Sequence, residues 1–278
     1  MPRNNQRRAK SAATTPEPKA APTSVLDFVT PTEFVELPSA GLLYAADHPF
    51  HNQKNIEINY MTAKDEDILT SQTLLRQGLA LERLLENVLS NYDVDPKTLL
   101  VGDRNAILIA ARTTGYGPIY KTNVTCPSCG VKTKYNFDLT QAKIYSGDNH
   151  GDKKIKRTKN GTYVVKLPLT KVDVEMKVMT GVEETQIGDE IREEPSLFES
   201  MYTSQLQRLI VSLNDETEPA VINRFVELMP AVDSRFLREA NAAVTPNIDL
   251  TQQFKCESCD HTQKMGVPFT VDFFWPNR

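Results

Sequence analysis

Apolar and polar residues alternate at Ile56-Glu57-Ile58-Asn59-Tyr60-Met61, the period of a strand with one buried face. Thr62 then predicts a helix N-cap, with acidic Asp65, Glu66 and Asp67 in the first turn and Asp65 spaced for a near capping box. The helical period predicts helices over about 65–76 and 79–90, the second with Leu81, Leu84, Leu85 and Val88 on one face. Another begins near Asp103 and stops at Gly115-Tyr116-Gly117-Pro118. A strand is predicted at Val131 to Phe137, and residues 146–162 are polar enough for a loop or hairpin edge. Two further strands, Tyr163 to Leu169 and Val172 to Met179, follow, with Pro168 ending the first or placing it at an edge. Helices are then expected at about 181–193, 197–213, 219–229 and 233–243.

This pattern occurs twice. Ile56 to Glu66 matches Val174 to Glu184 in strand alternation, in a Met-Thr dipeptide (Met61-Thr62, Met179-Thr180) and in an acidic helix start, at an offset of 118 residues. Leu84 to Asp93 echoes Leu209 to Asp215, and Asp103 matches Asp233 at an offset of 130. The expected fold is α+β: two related halves of short strands plus helices, with repeats at roughly 37–130 and 167–260. The expected domains are a disordered basic tail at 1–24, a first half at 25–140 and a second half at 141–278.

The repeat also carries all four cysteines. Cys126-Pro127-Ser128-Cys129-Gly130 and Cys256-Glu257-Ser258-Cys259-Asp260-His261 are two C-x-x-C turns, again 130 apart. Such a turn points two thiolates at one centre, and two turns make the closed tetrahedral set that zinc prefers. Cys126, Cys129, Cys256 and Cys259 are therefore the candidate ligands of a structural zinc shared by the halves. Closing a loop of about 130 residues costs on the order of 4 kcal/mol, against roughly 10–16 kcal/mol of apparent binding free energy at structural zinc sites. Two disulfides, or two reduced buried pairs, are the plainer alternatives, but no signal peptide points to an oxidising compartment.

Composition narrows the function. The chain has 278 residues, 40% hydrophobic and 24% charged, as in soluble globular proteins, and no apolar run approaches a membrane span. A net charge of −4 argues against a dedicated nucleic-acid binder. Residues 1–24 are basic and nearly free of large apolar side chains, which predicts a solvated tail. Lys153, Lys154, Lys156, Arg157 and Lys159 are read as an edge strand defended by charge. His48 and His51 are read as ordinary loop residues.

Several spaced motifs carry a resemblance. They are Leu37-Pro38-Ser39-x-Gly41-x-Leu43-Tyr44, Met61-Thr62-Ala63-x-Asp65-Glu66-Asp67-Ile68-Leu69, and Gly102-Asp103-Arg104-Asn105-x-Ile107-Leu108 with Arg112 and Gly115-Tyr116-Gly117. With Cys126-Pro127-x-Cys129-Gly130 they run in an order that resembles the baseplate hub subunit family of T-even-type contractile-tailed bacteriophages. The likeness covers about 35–270 and leaves the basic tail open. It implies a non-enzymatic hub component or hub assembly factor whose partners are other baseplate hub and tail proteins. It implies no small-molecule substrate, and a place in the host cytoplasm during assembly and then in the virion tail baseplate.

Two other classes compete with this reading. A zinc-ribbon nucleic-acid-binding or transcription factor would use the knuckles and the Lys153–Lys159 run, against the acidic balance and the absence of aromatics in that run. A metalloenzyme would need an open metal position, and no H-E-x-x-H is present. Asp103 with Arg104, and Asp233 with Arg235, read most simply as helix N-caps followed by solvated arginines; the sharper reading is a contact between halves or with a hub partner. Phe269, Val271 and Phe273 fit a final core-facing strand, which leaves Phe274 and Trp275 as the candidates for docking a neighbouring subunit.

Overall fold

The computed structural model describes residues 31–278 except 149, 152, 194–200, 269–272 and 275–278. The basic tail, Phe269, Val271 and Trp275 thus lie outside the described residues. Strand β1 (Thr32–Glu36) pairs antiparallel with β2 (Asn55–Asn59), whose Ile56 and Ile58 are buried while Glu57 and Asn59 are not. Helix α1 (Ala63–Thr70) begins at the expected capping box: the Thr62 N–H and hydroxyl both donate to Asp65 Oδ2 at 2.8 Å. Ser71 takes extended backbone and its hydroxyl accepts from Leu74 N–H, so the single helix expected over 65–76 is broken there and α2 (Gln72–Gln77) starts anew. Helix α3 (Ala80–Val88) buries Leu84, Leu85 and Val88, and α4 (Val101–Tyr116) stops at Gly117.

Strands β3 (Ile119–Thr125) and β4 (Lys132–Asp138) form a hairpin with the first knuckle at its tip. After β5 (Lys143–Tyr145), the chain enters an antiparallel sheet through β6 (Lys156–Arg157), β7 (Tyr163–Lys166) and β8 (Asp173–Met176). The basic run therefore holds an edge strand; Lys153 also pairs with Glu239 at 3.4 Å, and Arg157 donates to Leu42 O at 2.8 Å. Helices α5 (Gly181–Glu193) and α6 (Met201–Leu209) follow, then strand β9 (Ile210–Leu213). The helix expected over 197–213 is thus corrected at its end: β-branched Ile210 and Val211 favour the strand, and the free edge of β8 pairs with it. Helices α7 (Pro219–Leu228) and α8 (Ala231–Val244) precede β10 (Asn247–Asp249), which pairs with β5. The second hairpin, β11 (Thr251–Lys255) with β12 (Thr262–Gly266), carries the second knuckle.

The two halves share hydrogen bonds and much of their element order, but the echo of Leu84–Asp93 in Leu209–Asp215 is corrected: the first begins inside helix α3, whereas the second leaves α6 and forms strand β9, drawn into the sheet by β8. Val35 lies opposite Ile56 as Val165 lies opposite Val174, and Leu37 N–H donates to Lys54 O (2.8 Å) as Leu167 N–H donates to Val172 O (2.9 Å). The Thr32 hydroxyl bonds Glu57, and the Thr162 hydroxyl bonds Glu175. Thr180 N–H donates to Glu183 Oε2 at 2.9 Å, a second capping arrangement matching Thr62 and Asp65. Identical registers at both offsets are what the sequence repeat requires.

One apolar core runs through both halves, from Val35 and Leu84 to Leu237 and Phe254. Main-chain bonds cross between them as well: Gly181 N–H donates to Leu99 O at 2.9 Å. Gly102 lets α4 approach the chain at Pro246, whose carbonyl oxygen would lie only 2.0 Å from a β-carbon there. Arg112 is fully buried on α4. Its Nε and Nη2 donate to Phe273 O and Ile119 O at 3.2 Å, and Nη1 donates to Gly117 O. Burial pushes its guanidinium pKa down, and the rings of Tyr116, Tyr120 and Phe273 each stand 5.8 Å from its central carbon. Phe273 packs edge-on against Tyr120, and Phe274 against Phe273. Phe274 is only 4% exposed, which removes it as a docking residue: this cage takes up its ring.

Candidate metal centre

Each knuckle is a tight turn closed by main-chain bonds. Cys126 N–H donates to Val131 O (3.0 Å) and Gly130 N–H to Cys126 O (2.8 Å); Cys256 N–H donates to His261 O (2.9 Å) and Asp260 N–H to Cys256 O (3.1 Å). The residue after the second cysteine turns left-handed in both, Gly130 with φ +72° and Asp260 with φ +53°. Glycine meets that geometry freely, and aspartate is among the few side chains that tolerate it.

The hairpins bring the knuckles face to face, and all four sulfurs lie within 4.8 Å of one another. Cys126 Sγ is 3.7 Å from Cys259 Sγ, and Cys129 Sγ is 3.8 Å from Cys256 Sγ. A tetrahedron with metal–sulfur bonds of about 2.3 Å has edges of about 3.8 Å, so these cross-knuckle separations suit one shared ion. They are well beyond a disulfide bond of about 2.0 Å. Cys126 and Cys256 are buried; Cys129 and Cys259 are exposed, so the centre sits just under the surface.

The electrostatics of the cluster suit a cation. N–H groups of Cys129 and Ser128 aimed at Cys126 bring its thiol down to about 7. At Cys259 the His261 N–H acts the same way, but the neighbouring Cys129, burial and the other two sulfurs outweigh it, and the thiol is pushed up to about 12. Four thiolates this close repel one another unless a positive ion joins them. His261 is not part of the cluster; its Nε2 faces Gln263 Oε1 at 3.4 Å.

Beneath the knuckles the hairpins are bolted together by groups that no sequence pattern marks. The Gln252 amide brackets the main chain of Asp138, accepting from its N–H at 3.1 Å and donating to its carbonyl at 2.7 Å. Tyr135 donates to Gln253 O at 2.8 Å and its ring meets Phe254 at 5.2 Å.

The paired aspartates and arginines take other places than expected. Leu100 and Pro230 hold the N-cap positions of α4 and α8, so Asp103 and Asp233 are not caps. Both are fully buried and reach across to a turn: Asp103 accepts from Ser39 N–H (2.9 Å) and hydroxyl (2.5 Å), Asp233 from the N–H groups of Leu169 (2.8 Å) and Thr170 (2.9 Å). Arg104 pairs with Glu184 and so joins the halves, whereas Arg235 is a solvated partner of Glu239 on its own helix. His48 stacks on Tyr44 at 4.2 Å, accepts from Phe50 N–H within its loop and meets the Thr98 hydroxyl of the turn before α4, and His51 lies 2.8 Å from Tyr44 O.

The family model described as T4 bacteriophage base plate protein matches residues 42–275, well over half of the chain. The chain belongs to that family. The T4 base plate match spans both knuckles, both capping boxes and both buried aspartates. No curated protein and no solved structure matches the chain significantly. Among the described residues, no helix of this baseplate protein is long and apolar enough to cross a membrane.

Proposed function

We propose that the protein is a non-enzymatic part of the central hub of a contractile-tail baseplate, either a hub subunit or a hub assembly factor, knit by one structural zinc. The observation that carries this reading is the T4 base plate family match over 42–275. The order of hub-type motifs from Leu37-Pro38-Ser39 to the first knuckle narrows it toward the hub. Its partners are then other hub and tail proteins, met in the host cytoplasm as the tail is built.

Cys126, Cys129, Cys256 and Cys259 would hold the zinc, which supplies a fixed crosslink between two hairpins. Four protein ligands leave no position for water or substrate, so the centre suits a scaffold and not a hydrolase. The chain's own contribution is to pre-set the four sulfurs: the Gln252 bracket and the Tyr135–Phe254 contact fix the hairpins, and the knuckle N–H groups favour thiolate.

Mass spectrometry of purified virions tests the assignment. Peptides of this chain at constant stoichiometry identify a hub subunit. Consistent absence from virions, together with defective hubs when the chain is missing from infected cells, identifies an assembly factor. Normal baseplates formed without the chain would refute both.

A further inference from the structure

The two halves differ at one strand edge. In the second half, β7 is paired on both sides: β8 takes one edge, and β6 takes the other with Lys156 opposite Val164 and Arg157 opposite Tyr163. Its counterpart β1 is paired with β2 alone, and among the described residues no strand lies on its outer edge. Leu37 N–H bonds Lys54 O and Tyr60 N–H bonds Pro31 O. Antiparallel ladders alternate, so the main-chain groups of Thr32, Phe34 and Glu36 point away from β2. The same groups on β7 are used: Thr162 O accepts from Thr158 N–H at 2.8 Å, and Val164 faces Lys156.

The open edge borders a groove of about 520 Å³ between β1 and α4, floored by Val35, Ala106, Ile109 and Ala110. Phe34 stands at its rim with 71% of its surface exposed. Exposed edges are normally blunted by charge, proline or brevity; β1 is short and carries Glu33 and Glu36, but sets a large exposed aromatic, Phe34, between them. The charged groups lining the groove are Glu33 and Glu36; Glu36 pairs with Lys54 at 3.1 Å, whereas Glu33 accepts from the Tyr60 hydroxyl at 3.3 Å and, among the described residues, has no ion-pair partner. A second copy of β1 laid on this edge would bring a second pair of carboxylates into the groove. A basic strand meets complementary charge, and β6, the strand that fills the equivalent place, is Lys156-Arg157 preceded by the partly buried Ile155.

We propose that the outer edge of β1, with its groove against α4, receives an extended basic segment of a partner protein as an added antiparallel strand. Main-chain bonds to Phe34 would give register, an alternate apolar side chain would enter the groove, and Glu33 would select lysine or arginine. The inference rests on the comparison of β1 with β7 and is independent of the metal and of the hub assignment.

The test uses the full chain and a synthetic peptide with the sequence Lys153-Lys154-Ile155-Lys156-Arg157-Thr158-Lys159, followed by amide exchange at low salt. The peptide should slow exchange at Phe34 and Glu36. Phe34→Pro deletes an outward amide without touching the β1–β2 ladder, and should weaken binding by at least about tenfold, as should the double variant Glu33→Lys, Glu36→Lys. The double variant changes exposed side chains and breaks only the solvent-exposed Glu36–Lys54 pair and Tyr60–Glu33 bond, so it decides the matter if Phe34→Pro misfolds. Absence of peptide binding, protection confined to other segments, or equal binding by the double variant would overturn the proposal. Dimerisation of the chain that the double variant strengthens would overturn it too, assigning the edge to a second copy.

Discussion

Asp103 and Asp233 occupy the same position on α4 and α8, both fully buried and both fastened to the turn after a Leu-Pro dipeptide, yet their acidities move in opposite directions. Burial dominates at Asp103 and raises its pKa, with the Ser39 and Tyr44 bonds pulling back only partly. Burial also disfavours the charge at Asp233, but the two N–H bonds from Leu169 and Thr170 and the nearby Lys171 outweigh it, and the pKa falls. The difference lies in donors and charge together: Asp233 has two main-chain N–H groups, the Thr170 side chain and the cationic Lys171, whereas Asp103 has one N–H and the hydroxyls of Ser39 and Tyr44.

Asp233→Asn should therefore destabilise the fold by about 1–3 kcal/mol, because an amide NH₂ must face a buried N–H. Asp103→Asn should cost clearly less, since Asn keeps the Ser39 N–H bond and can donate to the Ser39 hydroxyl oxygen. Chemical denaturation of the two variants checks the order; equal losses would contradict it.

The pH dependence follows with opposite signs. The lowered Asp233 gives stability that is present above the ordinary carboxylate range and lost as pH falls through its folded value. The raised Asp103 favours folding while protonated, and that contribution is lost as pH rises through its folded value. Asp233→Asn should flatten the acid limb of a stability-versus-pH curve, and Asp103→Asn should remove a decline on the rising side. A thermal-melt series across acidic pH measures both.

The sequence carried much of this arrangement. The Thr62 and Asp65 capping box, the α4 stop at Gly117 and both knuckles are local signals, set by residues within a few positions of each other. The repeat was legible for the same reason: it preserves Met-Thr, Leu-Pro and Cys spacings. What local pattern hides is decided by distant partners. Strand β9 continues a helical run, and the β-branched Ile210 and Val211 settle into a strand where β8 offers an edge. The hairpin strands β3, β11 and β12 are rich in Lys, Thr and Gln and show weak alternation. Phe274 looks like a surface anchor until it is placed against Phe273 under Arg112.

Arg112 should be among the most sensitive positions outside the knuckles. Arg112→Met removes the guanidinium bonds to the carbonyls of Gly117, Ile119 and Phe273 from a buried arginine site, and should cost about 3 kcal/mol. Arg112→Lys should be intermediate, because one ammonium cannot reproduce a planar fork bonded to three oxygens. Amide exchange should quicken at Phe273 and Phe274 before the core around Leu84 is affected. Uniform loosening of the whole chain would count against this local tether.

The metal makes the sharpest demand on the proposed function. Protein purified without chelator should hold about one zinc per chain, and Cys256→Ser should lower both metal content and melting temperature. Acid should release the ion, since its thiolate ligands must then take up protons. The consequence for structure is graded. The knuckles are one of several ties between the halves, beside the Gln252 bracket, the Gly181–Leu99 bond and the continuous core. Chelation should therefore free the hairpin tips around 126–131 and 256–261 first, then loosen one half against the other, with α3 and α4 protected longest. If the protein is the proposed hub part, it must present its faces to neighbours in one geometry, and Cys129→Ser should then impair baseplate assembly more than it impairs solubility. Amide exchange with and without chelator, read beside an assembly assay, measures the two effects. Metal-free protein with unchanged exchange at the tips would remove the zinc from this account while leaving the family assignment in place.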